Sequence, residues 1–257
     1  MTNPDRSFRF LRTGKWIMGH ILALVAILVF VNMGLWQLRR LDDRQDFNQL
    51  LTDRSTTEPQ PLDEALAQYG PDQDNLELRR VHASGTYLVA DEVILFARSF
   101  EGLSGSHVLT PLDLGDGRVL IVDRGWVPID LDQPGAAETE PPAGIVGVSG
   151  VLRKTEVRGS FGPVDPEEGT LDRIARVNLD RLDRQIDGDV VDVYVQLQEQ
   201  EPAQPTSLPE IVALPTPSEG SHRAYAVQWF LFAAVTAVGY PILLWRTAEG
   251  HADPPAG

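Results

Sequence analysis

The stretch Ser221-His222-Arg223-Ala224-Tyr225-Ala226-Val227-Gln228-Trp229 sets an imidazole at the mouth of an uncharged run that lasts until Arg246. A neutral imidazole is a good axial ligand for haem iron, and an apolar surface built from Tyr225, Trp229 and, across a helix pair, Trp36 suits a porphyrin face. The competing reading is an interfacial histidine that hydrogen-bonds locally. The other histidines offer less. His82 and His107 fall in predicted strands, where a satisfied or solvent-facing ring is the ordinary state, and His251 lies in a polar tail. His20 sits inside an earlier apolar run. In an antiparallel pair it would stand roughly 25 Å from His222, at about 1.5 Å per residue, too far to share a metal. The chain has no cysteine, which excludes disulfides, thiolate metal sites and cysteine nucleophiles. Neither G-x-S-x-G nor H-E-x-x-H occurs, so the expectation is a protein that catalyses no reaction.

Two elements have to position His222. The 22 residues between Arg223 and Arg246 carry no charge and would form a helix of about 33 Å against a hydrocarbon core of about 30 Å. Gln228 is the one strongly polar side chain inside it. At the other end, Trp16 to Leu38 gives 23 uncharged residues between Lys15 and Arg39, and Ile17 to Leu35 is a second spanning segment. No A-x-A site follows it, so it reads as an uncleaved anchor rather than a signal peptide. The Trp36-Gln37 end of this first helix should lie opposite His222. Both termini then share one side of the membrane. Arg6, Arg9, Arg12 and Lys15 before the first span, against Arg39, Arg40 and Arg44 after it, tilt the N-terminus slightly towards the cytoplasm.

The expected fold is a membrane protein, a two-helix transmembrane hairpin carrying one exterior, strand-rich α+β domain. Its parts are a cytoplasmic N-terminus (1–15), a first span (16–38), the exterior domain (39–198), a proline-rich connector (199–222), a second span (223–245) and a cytoplasmic tail (246–257). The total charge of −15, with +4 on residues 1–39 and none net on 223–257, leaves −19 on residues 40–222. Such a surface repels nucleic acid and anionic headgroups and favours solubility or a basic partner.

Beyond Arg40, Leu41, Phe47, Leu50 and Leu51 continue the helical spacing past the lipid. Arg39, Arg40, Asp42, Asp43 and Arg44 read there as a solvated collar. Thr56 to Pro61 breaks the helix, and Leu62 to Tyr69 forms a short second one. Val81–Leu88, Glu92–Arg98, His107–Leu112, Arg118–Val127 and Ile145–Leu152 read as strands, with a hairpin turn at Leu114-Gly115-Asp116-Gly117. Asp132 to Gly144 reads as an exposed loop, Asp165 to Glu168 as surface, Val177–Ile186 as a short helix and Val190–Leu197 as a further strand. The prolines between Glu199 and Gly220 suggest an extended connector.

Five blocks in this order resemble the surfeit locus protein 1 family of cytochrome c oxidase assembly factors: Gly34-Leu35-Trp36-Gln37-Leu38-Arg39-Arg40, Gly85-Thr86-Tyr87, Gly105-Ser106-His107-Val108-Leu109-Thr110-Pro111-Leu112, Asp123-Arg124-Gly125-Trp126-Val127-Pro128, and His222 to Trp229. The resemblance covers both spans and the first half of the middle domain. It implies a role in building aa3-type oxidases in a bacterial cytoplasmic membrane, with termini inside and the domain outside. It also implies transient binding of haem a at His222, near the outer face, and partners among the oxidase subunits, subunit I foremost, or a respiratory supercomplex. The alternative is an accessory or scaffold subunit that binds no haem and stays with the oxidase or supercomplex; a further one is a membrane-anchored ligand sensor. Gly34, Gln37, Arg39, Gly85, Arg124, Gly125, Trp126 and Pro128 are structural or docking residues on this resemblance. Two departures from the family pattern, Asp123 in place of asparagine and Arg223 in place of an apolar residue, set charge beside the expected haem site.

Overall fold

A computed structural model describes residues 9–159 and 162–250; Arg6 and His251 lie outside the described residues. In chain order the elements are α1 (Gly14–Ser55), β1 (Gln60–Pro61), α2 (Leu62–Tyr69), α3 (Gln73–Leu76), β2 (Arg80–Tyr87), β3 (Val93–Phe100), β4 (Leu103–Asp113), β5 (Arg118–Pro128), β6 (Ile145–Lys154), β7 (Arg173–Ile174), α4 (Leu179–Asp183), β8 (Asp189–Val190), β9 (Val193–Glu201) and α5 (His222–Gly250). They form two compact units, residues 1–49 with 217–257 and residues 50–216.

In the first unit α1 and α5 are both long and apolar enough to cross a membrane. They run antiparallel: His20 meets Tyr240, Phe30 meets Trp229 and Phe232, and Gln37 meets His222. The seam is built from small residues against large ones. A Cβ on Gly34 would lie 2.7 Å from the Phe230 ring, so only glycine lets that ring in. On the outer faces Leu22, Leu28, Val235 and Val238 stay more than half exposed. Such an exposed apolar surface is consistent with a helix pair that contacts hydrocarbon.

The second unit is a mixed sheet that closes on itself. β2 pairs with β6 on one side and with β4 on the other, so β2-β6-β9-β5-β4 forms a ring, with β3 and then β7 added beyond β4. One core gathers Val81, Leu112, Leu120, Val146 and Val193 with Leu62, Ala65 and Leu76 from α2 and α3. A second gathers Leu95, Leu109 and Ile121 with Val177, Leu179 and Leu182 around α4. β5 supplies both cores, and every residue from Val119 to Val127 is buried. That near-continuous burial is the mark of a strand covered on both faces. β4 and β5 join through Gly115 and Gly117, at φ of 79° and 91°, the positive values the hairpin needs.

Two expectations need correction. Asp132 to Gly144 is no merely exposed loop, because Asp132, Thr139, Pro141 and Pro142 are buried. Arg173 Nη1 and Nη2 donate to the Asp132 carboxylate at 2.9 and 2.7 Å, and Ser106 Oγ donates at 2.8 Å. The connector also begins later than its prolines suggest. β9 runs to Glu201, and residues 204–212 are bonded to the sheet: Trp126 and Glu210 exchange two backbone hydrogen bonds of 2.8 Å, and Gln196 Nε2 donates to the Val212 carbonyl. Prolines prevent a regular ladder there without preventing single bridges.

Candidate functional site

His222 is the first residue of α5, and the turn before it is tied down. Gln45 Nε2 donates to Glu219 Oε1 at 2.7 Å, Asn48 Oδ1 accepts from the Ser218 amide at 3.3 Å, and Gly220 turns with φ of 65°. Gln37, Leu41, Gln45 and Asn48 recur at helical spacing, so one stripe of α1 first packs and then holds the incoming chain. Gln37 is buried at 9% exposure, and a buried amide requires a partner. That partner is His222, whose Nδ1 lies 2.9 Å from Gln37 Oε1. A side-chain amide oxygen only accepts, so Nδ1 carries the proton and Nε2 keeps its lone pair. Among the described residues no hydrogen bond engages Nε2.

An opening of about 320 Å³ lies beside the ring, lined by Arg40, Asp43, Arg44, Phe47 and His222. Arg40, Arg44 and Phe47 stand at i, i+4 and i+7 on the stripe of α1 next to the one holding Gln37. In the sequence Arg40 and Arg44 read as part of a solvated collar; only the fold of α5 back along α1 puts an imidazole beside them. Arg40 and Asp43 approach at 3.8 Å with both side chains more than half exposed, a pair worth little. Of the aromatic residues expected around His222, Tyr225 and Trp229 follow it by about one and two turns of α5, and Trp36 directly precedes Gln37, the partner of His222, in α1. Trp229 packs with Phe30 and Phe232 inside the helix pair, at ring separations of 5.8 Å. Tyr225 and Trp36 are about half exposed, at 49% and 47%. Trp36 lies one residue before Gln37, a step of about 100° that turns it off the seam, whereas Tyr225, three residues past His222, lies within about 60° of it on the same face of α5. Arg39, Arg223 and Gln228 are exposed as well.

His20 is a useful contrast. Tyr240 Oη lies 2.7 Å from its Nδ1, and the Leu11 carbonyl 3.2 Å from its Nε2. Nε2 therefore donates, Nδ1 accepts from the tyrosine, and both nitrogens are occupied. Of these two histidines in the helical unit, only His222 keeps a nitrogen for a ligand.

The remaining motif residues lie in the sheet unit. Arg124 is fully buried: Nη1 donates to Glu92 Oε2 at 3.2 Å and Thr110 Oγ1 at 3.4 Å, Nη2 to Gln204 Oε1 at 2.7 Å, and the guanidinium carbon lies 5.4 Å from the Tyr87 ring centre. Burial pulls the guanidinium's pKa down while Glu92 opposes this, and burial pushes the Tyr87 phenol up. Arg124 Nε alone lacks a partner among the described residues. Trp126 is 5% exposed, beside Phe100 and Gly105. Pro128 ends β5 opposite Gly105, and a Cβ on Gly85 would strike the Asp113 carbonyl. Asp123, expected to set charge beside the haem site, accepts from His107 Nδ1 at 2.8 Å and from the Gly125 amide, so its carboxylate is taken up within the sheet.

Comparison with known proteins agrees with the five-block pattern. A family model described as the SURF1 family matches residues 24–234. The chain is similar to a SURF1-like protein of Caenorhabditis elegans, 29% identical over 60% of this chain and 54% of the nematode protein, so it spans about half of that relative's length. It is 26% identical to an uncharacterized SURF1-like protein of Mycobacterium tuberculosis over 95% of this chain and 90% of the relative. It is 30% identical to surfeit locus protein 1 of Takifugu rubripes over 58% and 65%.

Proposed function

The chain belongs to the SURF1 family, and from that premise we propose that it is an assembly factor for an aa3-type cytochrome c oxidase, holding haem a transiently through His222 until subunit I accepts it. It acts in a bacterial cytoplasmic membrane with both termini inside and residues 50–216 outside, on an oxidase free or within a respiratory supercomplex. It catalyses no reaction of its own. The hydrogen bond between His222 and Gln37 carries this reading, because it fixes the tautomer and orientation that leave Nε2 as a metal ligand.

The donor set supports haem over a bare ion. Among the described residues no three histidine, cysteine or carboxylate side chains gather as a metal cluster, and a lone imidazole suits a metal whose other positions its own macrocycle fills. When bound, haem would supply the redox-active iron and the apolar ring. The chain's part would be to hold the iron through His222, present the apolar helix pair to the ring and release it. A single protein ligand beside a solvent-open site favours release over permanent retention.

The test is absorption spectroscopy of the full chain purified from cells that make haem a, wild type against His222→Ala. Wild type should carry haem a and the variant should lose most of it. Equal haem content in the two, or none in either, removes His222 from the account. Stoichiometric co-purification with mature oxidase would instead favour a resident accessory subunit.

A further inference from the structure

The opening beside His222 has a polar chemistry that metal ligation leaves unexplained. Two of its five lining side chains are guanidinium groups, one is an imidazole and one is the ring of Phe47; Asp43 is the lone acid. Arg40 and Arg44 both face this opening from consecutive turns of α1. Arg44 has no ion pair among the described residues, and Arg40 has only the loose 3.8 Å approach of Asp43. A guanidinium presents a planar fork of donors that matches a carboxylate in two parallel hydrogen bonds. The opening also lies where the uncharged run of α1 ends, at Leu38-Arg39-Arg40. A ligand with an apolar body and anionic groups at one edge would turn that edge towards the arginines.

We propose that Arg40 and Arg44 form a carboxylate clamp which binds the two propionate arms of the haem ligated by His222. This deepens the haem reading and rests on it. At about 320 Å³ the opening suits the polar edge of such a ligand and not the whole macrocycle. The clamp assigns the bound ring a direction: carboxylates at the charged collar, apolar edge along the helix pair.

The full chain in nanodiscs of phosphatidylcholine alone, titrated with iron protoporphyrin IX and with its dimethyl ester, separates the clamp from the axial ligand. Wild type should bind the free acid about tenfold or more tightly than the ester, both giving the Soret band of an imidazole-ligated iron. Arg40→Gln/Arg44→Gln should lose about tenfold on the free acid and nothing on the ester, while Arg40→Lys/Arg44→Lys should keep part of the preference because charge without the fork remains. Equal wild-type affinity for acid and ester overturns the clamp while leaving His222 as ligand. So does an equal loss on both ligands in the glutamine variant, which marks a structural role. A preference that appears only after anionic lipid is added assigns the arginines to phosphate headgroups and also overturns it. If His222→Ala binds both porphyrins as wild type does, the haem reading fails and the clamp falls with it.

Discussion

The position of one proton decides what His222 can do. Gln37 Oε1 holds the proton on Nδ1, and the lone pair of Nε2 follows from that alone. If His222 ligates haem as proposed, Gln37→Leu should weaken haem binding about 10- to 100-fold, the usual effect of removing a partner behind a ligating histidine, while Gln37→Glu keeps the acceptor and should retain binding. Soret titration of the two variants is the check; equal binding by the leucine variant and wild type would deny Gln37 this role. Gly125 is a residue of a different kind. Its φ is 131°, and a Cβ there would lie 2.7 Å from the Glu210 carbonyl carbon and 3.1 Å from the Ile211 amide nitrogen. Gly125→Ala should cost roughly 3 kcal/mol, combining backbone strain with loss of the Trp126–Glu210 bridges, and should be seen as a lowered thermal midpoint of the full chain. The glycine was legible as a residue permitting close approach, but which backbone approaches was not, since Glu210 lies 85 positions along the chain.

At the scale of elements, the helix pair depends on glycine facing aromatic rings. Gly34 admits Phe230 and Gly19 admits Tyr240, whose Oη would lie 3.0 Å from an added Cβ. Gly34→Leu should therefore overpack the seam by about 1–3 kcal/mol, displace α5 and loosen the His222–Gln37 bond. Adding Phe230→Ala to Gly34→Leu should recover most of the loss, because the second change vacates the space the first one claims. Melting of the single and double variants in one detergent reads this coupling; strictly additive losses would mean that the two side chains do not meet. The spans were plain in the sequence as uncharged runs. Their antiparallel order also followed from two spans and a domain between, whereas their rotation about their own axes did not, and it is this rotation that turns Trp36 off the seam beside Gln37.

Over the whole molecule two contrasts matter, acid against base and inside against outside. The carboxyl of Asp132, held by Arg173 and then by Ser106, has its pKa lowered, so the unfolded chain takes up that proton more readily than the native one. Its contribution is complete above about pH 4 and is lost as pH falls through the lowered native value. The thermal midpoint should accordingly drop on acidification from about pH 5 to about pH 3, and Asp132→Asn should begin lower and lose part of that slope. An unchanged slope in the variant would assign the acid sensitivity to other carboxylates. For topology, the absence of cysteine makes single introduced thiols unambiguous reporters. Val157, 86% exposed, replaced by cysteine should react with an impermeant maleimide in intact cells, and Arg12→Cys only after lysis. The reverse pattern would invert the proposed orientation.

By itself the sequence determined the two apolar helices, the strand-rich domain between them, the acidic surface of that domain and the histidine that opens the second helix. These follow from local patterns: runs without charge, alternation of apolar residues, and glycine or proline at the breaks. The tertiary structure decided the partners. That Gln37 orients His222, that Arg40 and Arg44 share its opening, that Arg124 and Asp123 are absorbed by the sheet, and that the proline-rich segment is bridged to Trp126 all depend on residues far apart in the chain. Spacing within an element sets which face a side chain occupies, but only packing between elements sets what that face meets.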